Sequence, residues 1–109
     1  MALYKGTRNT TVGNGTAIVT AGATERLRLN GLMKIQAKEA GPINALLQFV
    51  KSGSADVTVY EVFAVDSGNG EIVHPLPLHV SEPGASLHID IDVAKVVAYA
   101  IDVDLVRRV

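Results

Sequence analysis

The chain has 109 residues and a mass of 11.5 kDa, the size of one domain around one core. With no cysteine, a net charge of −1 and no apolar run near the ~18 residues of a membrane span, several classes are excluded. These are disulfides, thiolate metal sites, thiol nucleophiles and a membrane helix, and the charge argues against a general nucleic-acid binder. The first twenty residues also lack the apolar stretch of a signal peptide.

In chain order, residues 1–15 are polar and glycine-rich and are expected to form an arm outside a single β-sandwich domain spanning 16–109. Thr16 to Thr20 reads as a short strand. Glu25 to Asn30 alternates, with Leu27 and Leu29 on one face and Arg26 and Arg28 on the other. Asn30-Gly31 is a two-residue hairpin signal, because both residues tolerate positive φ. After it, Met33, Ile35 and Ala37 alternate with Lys34, Gln36 and Lys38. Gly41-Pro42 marks a loop. Ala45 to Lys51 is apolar on both faces, as in a central strand. Val57 to Val65 is rich in β-branched and aromatic residues and is the longest strand expected.

The segment from Glu71 to Val80 holds Pro75 and Pro77, which cannot donate to a ladder, so it is an edge strand or is covered by another element. Leu87, Ile89 and Ile91 alternate with His88, Asp90 and Asp92. Val96 to Val106 fits both helical and strand spacing. Its alternation and β-branched content favour a strand. The fold class is therefore all-β: a two-sheet antiparallel sandwich, jelly-roll-like, of about eight strands. The expected core includes Leu29, Ile35, Phe49, Val59, Phe63, Ile89, Ile91, Tyr99 and Ile101.

The chain carries an internal echo. Gly22 to Asn30 and Gly84 to Asp92 share a Gly-Ala turn, a hydroxyl residue, and aliphatics at alternate positions. Charge also divides by half: net +5 over residues 1–54 and −6 over residues 55–109. If the fold kept these poles apart, complementary faces would favour association.

Catalytic and metal constellations fail on spacing. His88, Asp90 and Asp92 lie on one strand face. If Val93 to Lys95 is a hairpin loop, His88 falls opposite Ala100, and Asp102 and Asp104 fall opposite Ser86 and Gly84, so the ligands do not converge. His74 and His79 lie five apart and point to opposite faces of an extended chain. The spacing His-x-His that a cupin-like metal site requires is missing. There is no G-x-S-x-G nucleophile elbow and no phosphate loop. Arg26, Arg28, Lys34 and Lys38 form a basic face without the aromatics of a base-stacking platform. No catalytic residue, metal ligand or cofactor is assigned.

The segments VTAGATERLRLNG and VSEPGASLHIDIDVAKVVAYAIDVDL resemble small β-sandwich virion proteins of tailed phages, of the capsid decoration (cement) or head-fibre type. The resemblance covers roughly residues 19–31 and 80–105 and transfers no functional residue. It implies a non-enzymatic structural protein of the virion, made in the host cytoplasm. Its partners would be further copies of itself, most simply a trimer, and a major capsid or other virion protein. Neither nucleic acid nor membrane is implied. The candidate interface comprises Tyr4, Lys5 and Arg8 in the arm and Arg26 and Arg28 on the basic strand. The alternative is a small-ligand or carbohydrate-binding sandwich, which five aromatics without tryptophan serve poorly.

Overall fold

The computed structural model describes residues 2–8 and 17–107. Its strands are β1 (Ala2–Arg8), β2 (Val19–Thr20), β3 (Glu25–Leu29), β4 (Leu32–Ala37), β5 (Ile43–Val50), β6 (Val57–Val65), β7 (Ile72–Pro75), β8 (His79–Val80), β9 (Ser86–Ile91) and β10 (Val97–Arg107). They form two antiparallel sheets. Sheet I runs β7-β4-β10-β3-β8, with β1 also on β10, and sheet II runs β2-β9-β5-β6.

Register shows how ten segments make about eight strands. β3 and β4 both pair antiparallel with β10, at its C-terminal and N-terminal halves respectively. β8 pairs with β3 and β7 with β4, and the intervening Leu76 N–H donates to Gly31 O at 2.8 Å. Thus β3 and β4 lie end to end, as do β7 and β8. The pairings then nest: β1 with β10, β2 with β9, β3–β4 with β7–β8, and β5 with β6. This is a jelly-roll winding, and it confirms the sandwich read from sequence.

Asn30-Gly31 is therefore not a hairpin. Between Arg28↔Asp104 and Met33↔Ile101 the chain holds two more residues than β10, so the pair is an insertion in one continuous strand. Two residues preserve the alternation, which keeps both Leu29 and Met33 in the core. Glycine is required here by close approach. A Cβ on Gly31 would meet the Asp102 side chain at 2.9 Å.

The N-terminal segment also departs from expectation. Ala2–Arg8 is not an arm but a strand, paired along seven residues with Val97–Val103 of its own chain. Its one apolar-side aromatic, Tyr4, packs half-buried on the core, and Tyr99 lays its ring against Gly6. Backbone pairing supplies what the polar composition lacks. Residues 9–15 of the expected arm lie outside the described residues.

The core joins Leu27, Leu29, Met33, Ile35, Val97, Ile101 and Val103 of sheet I to Ile43, Leu47, Phe49, Leu87, Ile89 and Ile91 of sheet II. Each fully buried aliphatic side chain of this size contributes roughly 1.5–3 kcal/mol. β5 lies centrally between β9 and β6, and β10 is the strand expected at the C-terminal end. The echoing turns meet at one end of the sandwich, where Ala21 N–H donates to Ala85 O at 2.9 Å and Gly84 N–H to Glu25 O at 3.0 Å.

β6 breaks the alternation. Its buried residues, Val59, Val62 and Val65, are spaced by three. The register with β5 slips by one residue in each interval, between Leu47 and Gln48 and between Ile43 and Ala45. These are two β-bulges. Phe63, expected in the core, sits in the second and is 66% exposed.

Candidate functional site

The two outer faces differ in chemistry. That of sheet II is polar and bonded to itself. Thr20 and Ser86 share a 2.9 Å hydrogen bond, Gln48 Nε2 donates to Thr58 Oγ1 at 3.1 Å, and Asn44 Nδ2 donates to Asp92 Oδ2 at 2.9 Å. Glu61, Asp90 and Asp92 make this face acidic. On sheet I, register aligns outward side chains into rows. One reads Lys5, Ala100, Lys34, Val73; the next joins Leu3 to Asp102 and Leu32 to Pro75. Leu3, Leu32, Val73 and Val80 are all exposed there. The charge division of the sequence survives only in part, because β10 brings Asp102 and Asp104 among the first-half cations while β9 takes Asp90 and Asp92 to the opposite face.

Small side chains in a central strand make a trough in sheet I. Ala98 and Ala100 form its floor, and longer side chains of β1 and β4 form its walls. The space is about 430 Å³, lined by Leu3, Leu32, Lys5, Lys34 and Asp102 among others. Such a volume lies within the roughly 300–1,000 Å³ of small-molecule pockets. Neither lysine ammonium forms an ion pair among the described residues.

The second feature is the bulge that turns Phe63 to solvent. The next residue, Ala64, has φ 54°, the left-handed region that side chains disfavour. Asn44 Oδ1 accepts a 2.9 Å hydrogen bond from Ala64 N–H. Asn44 is in turn held by the Asp92 carboxylate, through its side-chain amide and through its own N–H, both at 2.9 Å. A three-residue clamp across β6, β5 and the end of β9 thus holds a strained backbone that exposes an aromatic ring.

The residues expected at an interface fare unequally. Lys5 is exposed and lines the trough. Tyr4 is turned toward the core. Arg8 pairs by backbone with Val97, and its side chain lies outside what the structure describes. Arg26 and Arg28 are committed internally. Arg26 donates to Ser81 O at 3.1 Å, and Arg28 Nη2 meets Asp104 Oδ2 at 2.7 Å. That hydrogen bond holds the Asp104 carboxyl below its usual value, and burial pushes the Tyr99 phenol up. Arg26, Arg28 and Lys34 lie in file along one continuous strand, not across a hairpin.

The expected β9–β10 hairpin is absent too, since the two strands belong to different sheets. His88 lies opposite Gln48 and Asp90 opposite Leu46, both on β5. His74 shares a 3.1 Å hydrogen bond with Tyr60 Oη across the sheet edges, with ring centroids 5.3 Å apart. Among the described residues, no group of three or more His, Cys, Asp or Glu could hold a metal ion. The feature missed from sequence is Phe63. Its signal was Glu61, which interrupts the apolar set Val57, Val59, Phe63, Val65 and so argues against unbroken alternation. No family model, no curated protein and no solved structure matches the chain.

Proposed function

We propose that the chain is a non-enzymatic structural protein that works by surface contact. It assembles as a homo-oligomer, three copies in the simplest case, and decorates or cements a larger shell such as a phage capsid. The observation that carries this is the exterior of sheet I. Leu3, Leu32, Val73 and Val80 are exposed on one face, while the opposite sheet, Phe63 apart, carries polar groups bonded to one another. Exposed apolar side chains gathered on one face, here interleaved with Lys5, Lys34 and Asp102, fit a protein contact. Stable interfaces bury about 1,200–2,000 Å² in total, an area such a face can contribute to.

A carbohydrate platform is less well supported. Stacking on a sugar needs an aromatic face laid open, and the aromatic at the trough, Tyr99, has its ring against Gly6. Sedimentation equilibrium over a range reaching tens of micromolar tests the proposal. The expected mass is a multiple of 11.5 kDa. A monomer throughout that range would remove the self-association on which the function depends.

A further inference from the structure

We infer that Phe63 of one copy docks into the trough of sheet I on a second copy, joining the chains head to tail. This contact rests on the self-association proposed above and specifies its geometry. Four observations meet in it. Phe63 is the most exposed large apolar side chain among the described residues, at 66%. Its exposure is enforced, because the Asn44–Asp92 clamp holds Ala64 in a left-handed conformation that an ordinary strand would avoid. Strained backbone of this kind persists where the surroundings fix it and gathers at functional positions.

The trough supplies the matching shape, with about 430 Å³ above an alanine floor and Leu3 and Leu32 at its side. Charge there is mixed. Lys5 and Lys34 line the trough together with Glu71 and Asp102, yet neither lysine is ion-paired among the described residues, so Glu61, exposed two residues before Phe63, can meet an ammonium left open. Aromatic anchors filling pockets dominate interface energetics, and complementary charge fixes their orientation.

Knob and trough lie on different surfaces, so the contact is heterologous. Such contacts close into rings when the rotation permits, three-membered ones included. They also allow a complementation test that a symmetric contact would fail. Phe63→Ser removes the knob and leaves the trough. Ala100→Gln fills the trough and leaves the knob. Both positions face outward, and far-UV circular dichroism with thermal melting verifies that each variant is folded.

Each variant alone is expected to raise the dissociation constant for association about thirtyfold or more, as loss of a hot-spot contact does. An equimolar mixture is expected to form 1:1 dimers, since one intact knob meets one intact trough. If the unsubstituted protein associates but neither variant weakens it, the docking is overturned while self-association stands. If both variants dissociate and their mixture stays monomeric, the head-to-tail pairing is overturned. A wild-type monomer at every concentration would overturn the proposed function and this contact together.

Discussion

Asn44→Ala attacks the clamp behind Phe63 at its centre. The substitution deletes two side-chain hydrogen bonds, one from Ala64 N–H and one to the Asp92 carboxylate, each 2.9 Å long. A neutral hydrogen bond is worth roughly 0.5–1.5 kcal/mol net and one to a charged group roughly 1.5–3 kcal/mol. Both are solvent-exposed, which favours the low ends, and relaxation of Ala64 returns part of its strain of about 1–2 kcal/mol. The expected loss is therefore about 1–2 kcal/mol, a fall in Tm of roughly 4–12 °C. A domain of this length has about 5–15 kcal/mol in hand, so the variant remains folded.

Ala64→Gly supplies the second arm of a double-mutant cycle. In the native background it relieves left-handed strain and is neutral to stabilising by up to about 1 kcal/mol, after the flexibility of glycine is set against it. Once Asn44 is gone and the bulge has relaxed, that gain vanishes. Urea unfolding of the four proteins measures the coupling. A loss below about 0.5 kcal/mol for Asn44→Ala, or additivity within roughly 0.3–0.5 kcal/mol, would show that Asn44 does not hold Ala64 in place.

Three further outcomes are expected. Phe63→Ser changes the stability of the monomer by less than about 1 kcal/mol in urea, whereas a loss of roughly 3–5 kcal/mol would return the ring to the core. Gly6→Ala is destabilising by about 1–3 kcal/mol, because its Cβ would meet Tyr99 Oη at 2.6 Å; Tyr99→Phe in the same chain should recover part of the loss in thermal melting, and a neutral Gly6→Ala would mean that the ring is free to move. Arg28→Gln should weaken the protein slightly at neutral pH and not in strong acid. Asp104 has a folded-state pKa lowered by the Arg28 hydrogen bond, so the stability it contributes is present above the ordinary carboxylate range and lost as pH falls through the lowered value. The ion pair is partly exposed and so screened by salt, and an equal loss in acid would assign Arg28 a packing role.

Residues whose environment repeats every second position were legible in the sequence. Leu27 and Leu29, then Leu87, Ile89 and Ile91, all lie on the buried face that simple alternation assigns them. Pro75 and Pro77 allowed an edge strand or a covered one, and the fold takes the edge for β7 and β8, because a missing N–H bars the segment from a central ladder in any fold. What was not legible depended on partners distant in sequence. Asn30-Gly31 carries hairpin chemistry, but β10 already offered a straight ladder to both flanking segments, and Asp102 needed the space that glycine leaves. β1 is too polar to bury itself, yet an open edge of β10 satisfies its backbone regardless of side chains. At Phe63, β-propensity and hydrophobicity both favoured the interior. Asn44, some twenty residues earlier, decides otherwise by accepting the Ala64 N–H.

The sheet edges bear on why the proposed association is assigned to a face and a knob. A jelly roll leaves strand edges whose unpaired N–H and C=O groups invite addition of another strand. Here each described edge carries its own block. β2 and β8 are two residues long, β7 ends in Pro75 with Pro77 just beyond, and β6 is bent by two bulges, one of them at left-handed Ala64. β1 keeps regular register but sets the charged, exposed Lys5 at its middle. Moreover, β1 is already paired with β10, so lending it to a neighbour would break seven residues of internal ladder to make an equivalent ladder elsewhere. Strand exchange therefore has little free energy to gain. Burying the Phe63 ring has no such counter-loss, because no internal contact is given up when it leaves water. The bulge at Phe63 and Ala64 that helps disable the β6 edge is also the device that presents the ring, so protection from random edge pairing and the proposed contact would share one origin.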